Sequence, residues 1–351
     1  MNFEEFAKYM KEYAEKRIKK KLDREDVRIN ICPVNKVNNN YLGMRVEGEG
    51  IYSGATVNLD QFYRAYTEEC VRLDILAHKA VEILSEKIQD VDVRKLLNYN
   101  YVKDRLFIRI CDQAKNNELL KSVPHHRKAG LAITYHILVA DTERGPATTI
   151  VRNDMLNIYG IDARQLHEDA MRSAQMIAPL QIASMHNVML EQMMEEGVDP
   201  EFIDLMREAT AGNPMDRALI VKTEGDLSEA SAVFYPEVLD DLSKQLGTDL
   251  IILPSSVFEV IVLPDDGNMN FNELKDLVQS VNENEVMPEE RLSYDVFHYD
   301  AKEKVFEKAE DFSARKSEKE SVMDKMRDKR KQVMILFPDK KGPGKDMVPD
   351  R

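Results

Sequence analysis

Apolar residues run without alternation through two short stretches, 250–253 and 257–263, within the sequence TDLIILPSSVFEVIVLPDD. Strands with apolar side chains at odd and even positions are buried on both faces. Pro254 cannot donate to a ladder, and Ser255 and Ser256 can bond their own backbone, so a turn separates the two strands. Pro264, Asp265, Asp266 and Gly267 close the second one. This hairpin places the core of the second half of the chain.

Upstream, Phe3, Phe6, Met10, Tyr13 and Ile18 form one stripe, which predicts an amphipathic helix over 2–21. Strands are predicted at 27–32, 41–46 and 54–59, then a helix capped by Asp60 and another over 72–88. Residues 106–110, 131–139 and 148–151 read as strands, with VPHHR as a loop. Asn153 is expected to cap a helix that Gly160 stops, and Asp162 to start a helix over 163–176. Residues 181–211 read as helical, broken at Gly197 and Pro200. Strands at 218–223 and 230–234, a helix from Pro236 to Leu246, the apolar hairpin, a helix over 271–282 and strands at 294–299 and 304–306 complete the folded part.

Antiparallel hairpins interspersed with helices predict an α+β fold with mainly antiparallel sheets. Two subdomains are expected, 1–212 and 213–312, followed by a charged, largely disordered tail over 313–351 in which 313–331 can form a solvated helix. The length suits two domains.

Charge changes this picture at the tail. The chain of 351 residues carries a net charge of -14. Residues 313–351 hold 12 Lys/Arg against 7 Asp/Glu, which leaves 37 against 56, or -19, on the remainder. An acidic body repels nucleic acid and anionic membrane, so neither is expected as a partner of the folded part. Cys32, Cys70 and Cys111 are odd in number and widely spaced, which excludes a disulfide scaffold or zinc ribbon. The start of the chain lacks an apolar secretory core, and no run reaches the length of a membrane span, so a cytoplasmic location is expected.

Candidate chemistry is sparse. His125 and His126 are adjacent, and His136 follows, without HExxH or CxxC spacing, so no metal is expected. Ser255 or Ser256 would need a base and an oxyanion hole to act as nucleophile, and the GxSxG and SxxK arrangements are absent. Glu259 interrupts an apolar strand, and the leading reading is a position on a sheet edge. Asp240–Asp241 and Asp265–Asp266 fit solvated surfaces or turns. Met185, Met189, Met193 and Met194 recur near helical spacing, which suits core packing, with a partner groove as the alternative. No nucleotide-binding glycine motif occurs, and no cofactor is expected. In the tail, Val333, Met334, Ile335, Leu336 and Phe337 form an apolar segment between KRKQ and DKK, a candidate docking motif for a protein partner.

Three segments carry a resemblance: VKDRLFIRICDQAKNNELLKSVPHHRKAGLAITYHILV, IVRNDMLNIYGIDARQLHEDAMRSAQMIAPLQIASM and ASAVFYPEVLDDLSKQLGTDLIILPSSVFEVIVLPDD. In this order they resemble a family of unknown function from gut and other anaerobic Firmicutes, across roughly residues 25–308. The middle segment, YGIDARQLHEDA, also resembles a second uncharacterised family of Bacilli. The first family's pattern has His where Phe258 stands, giving SSxHEV. A catalytic or metal role at that position does not carry over, although Glu259 is retained. The resemblance implies no activity or substrate.

These features favour a non-enzymatic binding or adaptor module. The alternatives are a serine-type hydrolase using Ser255 or Ser256 with Glu259 and His125 or His126, and a nucleic-acid accessory factor acting through the basic tail.

Overall fold

Phe6, Met10, Ala14 and Ile18 recur along one stripe of α1 (Phe3–Leu22), and all four are buried. The helix starts at a capping box: the Asn2 side chain accepts the Glu5 N–H, and the Glu5 carboxylate accepts the Asn2 N–H. The stripe covers a hairpin of β1 (Arg28–Lys36) and β2 (Asn39–Glu47), to which β3 (Val57–Asn58) adds. Asn58, not Asp60, caps α2 (Leu59–Thr67); Asp60 instead accepts the Leu42 N–H at 2.7 Å. With α3 (Leu73–Ser85), these elements enclose a first core containing Met44, Val57, Leu59 and Leu76. The computed structural model describes residues 1–49, 55–85, 93–142, 145–210, 217–225, 227, 229–254 and 256–336, so residue 54 of the expected third strand lies outside the described residues.

The second unit contains α4 (Tyr99–Val102), β4 (Leu106–Asp112), α5 (Asn117–Leu120), β5 (His125–Lys128), β6 (Leu131–Thr142), β7 (Gly145–Ile150), α6 (Asn153–Tyr159) and α7 (Ala163–Ile177). β6 pairs with β4 along one side, and with β5 and then β7 along the other. VPHHR is therefore not a loop throughout: His125 pairs opposite Thr134, and His126 opposite Ile133. The Asp162 side chain accepts the Gln165 N–H and caps α7 as expected, and Gly160, at φ 66°, ends α6. Arg152 rather than Asn153 holds the cap position of α6.

The third unit follows as β8 (Leu180–Ser184), α8 (Met185–Glu195), α9 (Pro200–Thr210), β9 (Leu219–Thr223), α10 (Val238–Leu246), β10 (Asp249–Leu253), β11 (Val260–Asp265), α11 (Phe271–Asn284), β12 (Phe297–Asp300), β13 (Val305–Lys308) and α12 (Ala309–Leu336). Its sheet has the order β13-β12-β10-β11-β9-β8, with neighbours antiparallel. The protein is thus a mixed α+β fold.

Two segments depart from the pattern reading. Residues 180–184 form a strand rather than the start of a helix, because β9 supplies a ladder partner that no local signal shows. Residues 229–234 form a 3-10 turn, not a strand; Ala230 to Phe234 are all buried, and an apolar run without alternation has no period to choose between the two.

The apolar hairpin is buried on both faces, as its pattern predicts. Leu250, Ile252, Val260 and Val262 join the main core, whereas Ile251, Leu253 and Leu263 pack with Val278 of α11. The main core runs from Val102 to Phe306 and joins the second and third units. The expected boundary near 212–216 falls between β8 and β9, which are neighbours in one sheet. Residues 313–336 continue α12, which extends the helix expected over 313–331 at both ends. Among the described residues, no helix is long and apolar enough to cross a membrane.

Candidate binding site

The loop between β10 and β11 is longer than a Pro-Ser-Ser turn. It runs from Pro254 to Glu259 and is pinned from two sides. Val257 donates its N–H to the Glu290 carbonyl at 2.8 Å, and Ala230 donates to the Val257 carbonyl at 3.1 Å. The buried Ser256 hydroxyl accepts the Phe258 N–H at 3.1 Å, an ST-type turn. Ser255 lies outside the described residues. Glu259 is half-buried and stands one residue before β11. The edge reading for it fails, because β11 lies between β10 and β9.

The histidines do not converge on Ser256. No hydrogen bond joins it to a histidine among the described residues. Period-two alternation sends His125 and His126 to opposite faces of the sheet. His125 donates from Nδ1 to the Val123 carbonyl at 3.0 Å and accepts from Arg127 Nε at 3.3 Å. His126 faces His167, with ring centroids 5.1 Å apart, and the Tyr135 hydroxyl bonds His167 Nδ1 at 2.8 Å. Burial, with His126 and Lys128 nearby, pushes the His167 pKa down. His136 is buried beside Phe107 and bonds Thr134 Oγ1 at 3.0 Å; burial and then Arg109 hold it well below the ordinary histidine range. Among the described residues, no group of three His, Cys, Asp or Glu is placed to hold a metal ion.

The paired aspartates are engaged by groups of the protein itself. Asp265 and Asp266 accept the N–H groups of Gly267 and Asn268. Asp240 holds Tyr299 and Lys304, and Asp241 pairs with Lys244. Of the methionines, Met185 packs against the core, whereas Met189 and Met194 are exposed.

Beneath the pinned loop lies a cavity of about 190 Å³, lined by Asn38, Arg109, Glu229, Val257, Phe258 and Glu289 among others. Asn38, at φ 59° in the β1–β2 turn, exchanges hydrogen bonds of 2.7 Å with Asn116, which brings the first unit to this junction. Arg109 projects from β4 and donates from Nε to the Leu227 carbonyl at 2.9 Å. Burial lowers its pKa, and Glu229 opposes that shift. Glu229 sits at φ 43°, a strained position for a residue with a Cβ. Arg109 belongs to no motif in the sequence. Its signal was a lone cation inside the apolar strand LFIRICD.

A second feature is the outer edge of the six-stranded sheet. β8 is its last strand, and Leu180 and Ile182 are exposed on one face. Val188, Met189, Met194, Phe202 and Leu205 are exposed on the following helices, with Met176 (78% exposed) just before the strand. Glu191, Glu195, Glu196, Asp199 and Glu201 are exposed among them.

The basic tail begins differently. Arg315 pairs with Glu307, Asp300 and Glu303, and Lys319 also pairs with Glu303. The first cations of the tail therefore lie on the protein's own carboxylates. The side chains of Val333, Met334, Ile335 and Leu336, and all of Phe337, lie outside the described residues, although the backbone of 333–336 is helical.

Three antiparallel sheets, a charged cavity at their junction and an apolar edge strand with no outer neighbour among the described residues define a mixed α+β protein, and no catalytic constellation is recognisable among those residues. The chain belongs to DUF5688, a family of unknown function, which it matches over residues 3–301. No curated protein and no solved structure matches it.

Proposed function

We propose that the protein is a non-enzymatic binding module that receives an apolar protein segment flanked by Lys or Arg along β8 and the α8–α9 surface. The open edge carries this reading. Edge strands are ordinarily guarded by charge or Pro, and LQIAS has neither. An extended segment can add to such an edge through main-chain hydrogen bonds while alternate side chains meet Leu180 and Ile182. The exposed glutamates around it favour basic flanks. The chain's own residues 329–341, KRKQVMILFPDKK, have this chemistry and supply a probe.

The test is an anisotropy titration of a labelled 329–341 peptide against the full chain and a chain ending at residue 328. Binding should weaken about tenfold or more in Ile182→Lys, a loss of ~1.4 kcal/mol or more, with the fold intact. A peptide that binds neither chain, or binds Ile182→Lys equally well, overturns the proposal.

The hydrolase alternative has less support, because Ser256 is engaged within its own turn. A fluorophosphonate probe should leave Ser256 unlabelled. The nucleic-acid alternative also has less support, because Arg315 and Lys319 already face carboxylates.

A further inference from the structure

Arginine carries five N–H donors. In Arg109 only Nε donates to the protein, to the Leu227 carbonyl; among the described residues the two Nη groups have no hydrogen-bond partner. Arg109 is half-buried and lines the cavity, so its guanidinium is available to a molecule held there. A partly desolvated arginine with most of its donors unused gains when an acceptor arrives. The same cavity is lined by Glu289, which is half-buried and makes no ion pair among the described residues. Arg109 and Glu289 thus line one small space without forming an ion pair, and Glu229, whose charge acts on Arg109, adds negative charge to the wall.

A plain anion would satisfy Arg109 but would face both glutamates. A plain cation would meet Arg109. A molecule carrying both charges close together satisfies the two ends at once. The space of about 190 Å³ equals the liquid volume of roughly six waters, which suits a molecule of a few heavy atoms. Val257 and Phe258 add apolar wall for a short side chain.

We propose that this cavity binds a small zwitterion of the α-amino-acid type, with its carboxylate forked on the Arg109 guanidinium and its ammonium toward Glu289. The fork geometry of Arg matches a carboxylate with two parallel hydrogen bonds. Val257 and Phe258 of the pinned loop form one wall, which gives the apolar hairpin a role in recognition. This site is separate from the β8 edge and stands or falls independently of it.

Isothermal titration of the full chain with glycine, L-alanine and L-serine, and with acetate and ethylammonium as single-charge controls, tests the assignment. At least one amino acid should bind about tenfold or more tightly than both controls, a difference of ~1.4 kcal/mol. Arg109→Met should abolish the binding of amino acid and acetate together. Glu289→Gln, in a half-buried loop position where folding is little threatened, should erase the advantage of the amino acid over acetate while leaving acetate unchanged. Equal affinity for amino acid and acetate in the unaltered chain overturns the zwitterion assignment, as does full amino-acid affinity in Glu289→Gln. Absence of heat with all five probes overturns the site altogether.

Discussion

Phe312 stacks on His298, with ring centroids 3.5 Å apart and planes 13° apart. His298 is fully buried on β12, and its Nε2 reaches Asp265 at 3.2 Å. Among the described residues its Nδ1 has no partner, so the ring is held through Nε2, which also lies 3.8 Å from Asp249, and by aromatic faces, Phe271 being the second. The hydrogen bond from His298 lowers the Asp265 pKa. This stack attaches the first turn of α12 to the sheet, and Arg315 follows one turn later with its three carboxylates.

Tail truncation should therefore depend sharply on where the chain is cut. A chain ending at residue 319 keeps Phe312, Arg315 and Lys319, and its thermal midpoint should stay within about 2 °C. A chain ending at residue 311 exposes His298 and leaves Asp300, Glu303 and Glu307 without their arginine. Its midpoint should fall by roughly 2–8 °C. Equal midpoints for the two chains in a calorimetric scan would show that the stack contributes nothing.

Substitutions in the hairpin should sort by burial. Leu263→Ala removes a fully buried side chain and should cost ~2–5 kcal/mol in urea unfolding. Ile261 is only half-buried, so Ile261→Ala should cost less than Leu263→Ala. Ser256→Ala removes one turn acceptor and should cost ~0.5–1.5 kcal/mol. A Ser256 effect as large as that of Leu263 would contradict the turn assignment.

Stability should decline in mild acid. His136 is held neutral in the fold, whereas an unfolded histidine takes up a proton near pH ~6.5. Below that pH the unfolded chain binds a proton that the folded chain refuses, so stability falls as pH drops toward the depressed folded value. The slope contributed by one such group approaches ~1.4 kcal/mol per pH unit. His167, shifted the same way, adds to it. His136→Gln can keep the bond to Thr134 without titrating, and should flatten the loss between pH 7 and pH 5. Urea midpoints that fall equally in the variant would assign the acid sensitivity to other groups.

Some elements were legible because their signals are local. The capping oxygen of Asp162, the glycine after α6 and the stripe of Phe6, Met10 and Ile18 act within a turn or two of chain. The strand at 180–184 was not, because LQIAS becomes a strand only when β9 offers it a ladder. The VPHHR segment became β5 for the same reason, with β6 as its partner. Asn58 rather than Asp60 is the cap because the helix begins at Leu59, which puts Asp60 within its first turn, where its carboxylate accepts the Leu42 N–H.

The amino-acid sequence by itself determined the α+β class, the burial of Leu250–Leu253 on both faces of the sheet and the sign of charge on body and tail. Each of these depends on composition or on periods read over a few residues. Only the tertiary structure decided that His125 and His126 pair with β6, that residues 180–184 pair with β9, and that Arg109 and Glu289 line one cavity. Those relationships join residues separated by up to half the chain. They follow from how three sheets meet, which no local pattern encodes.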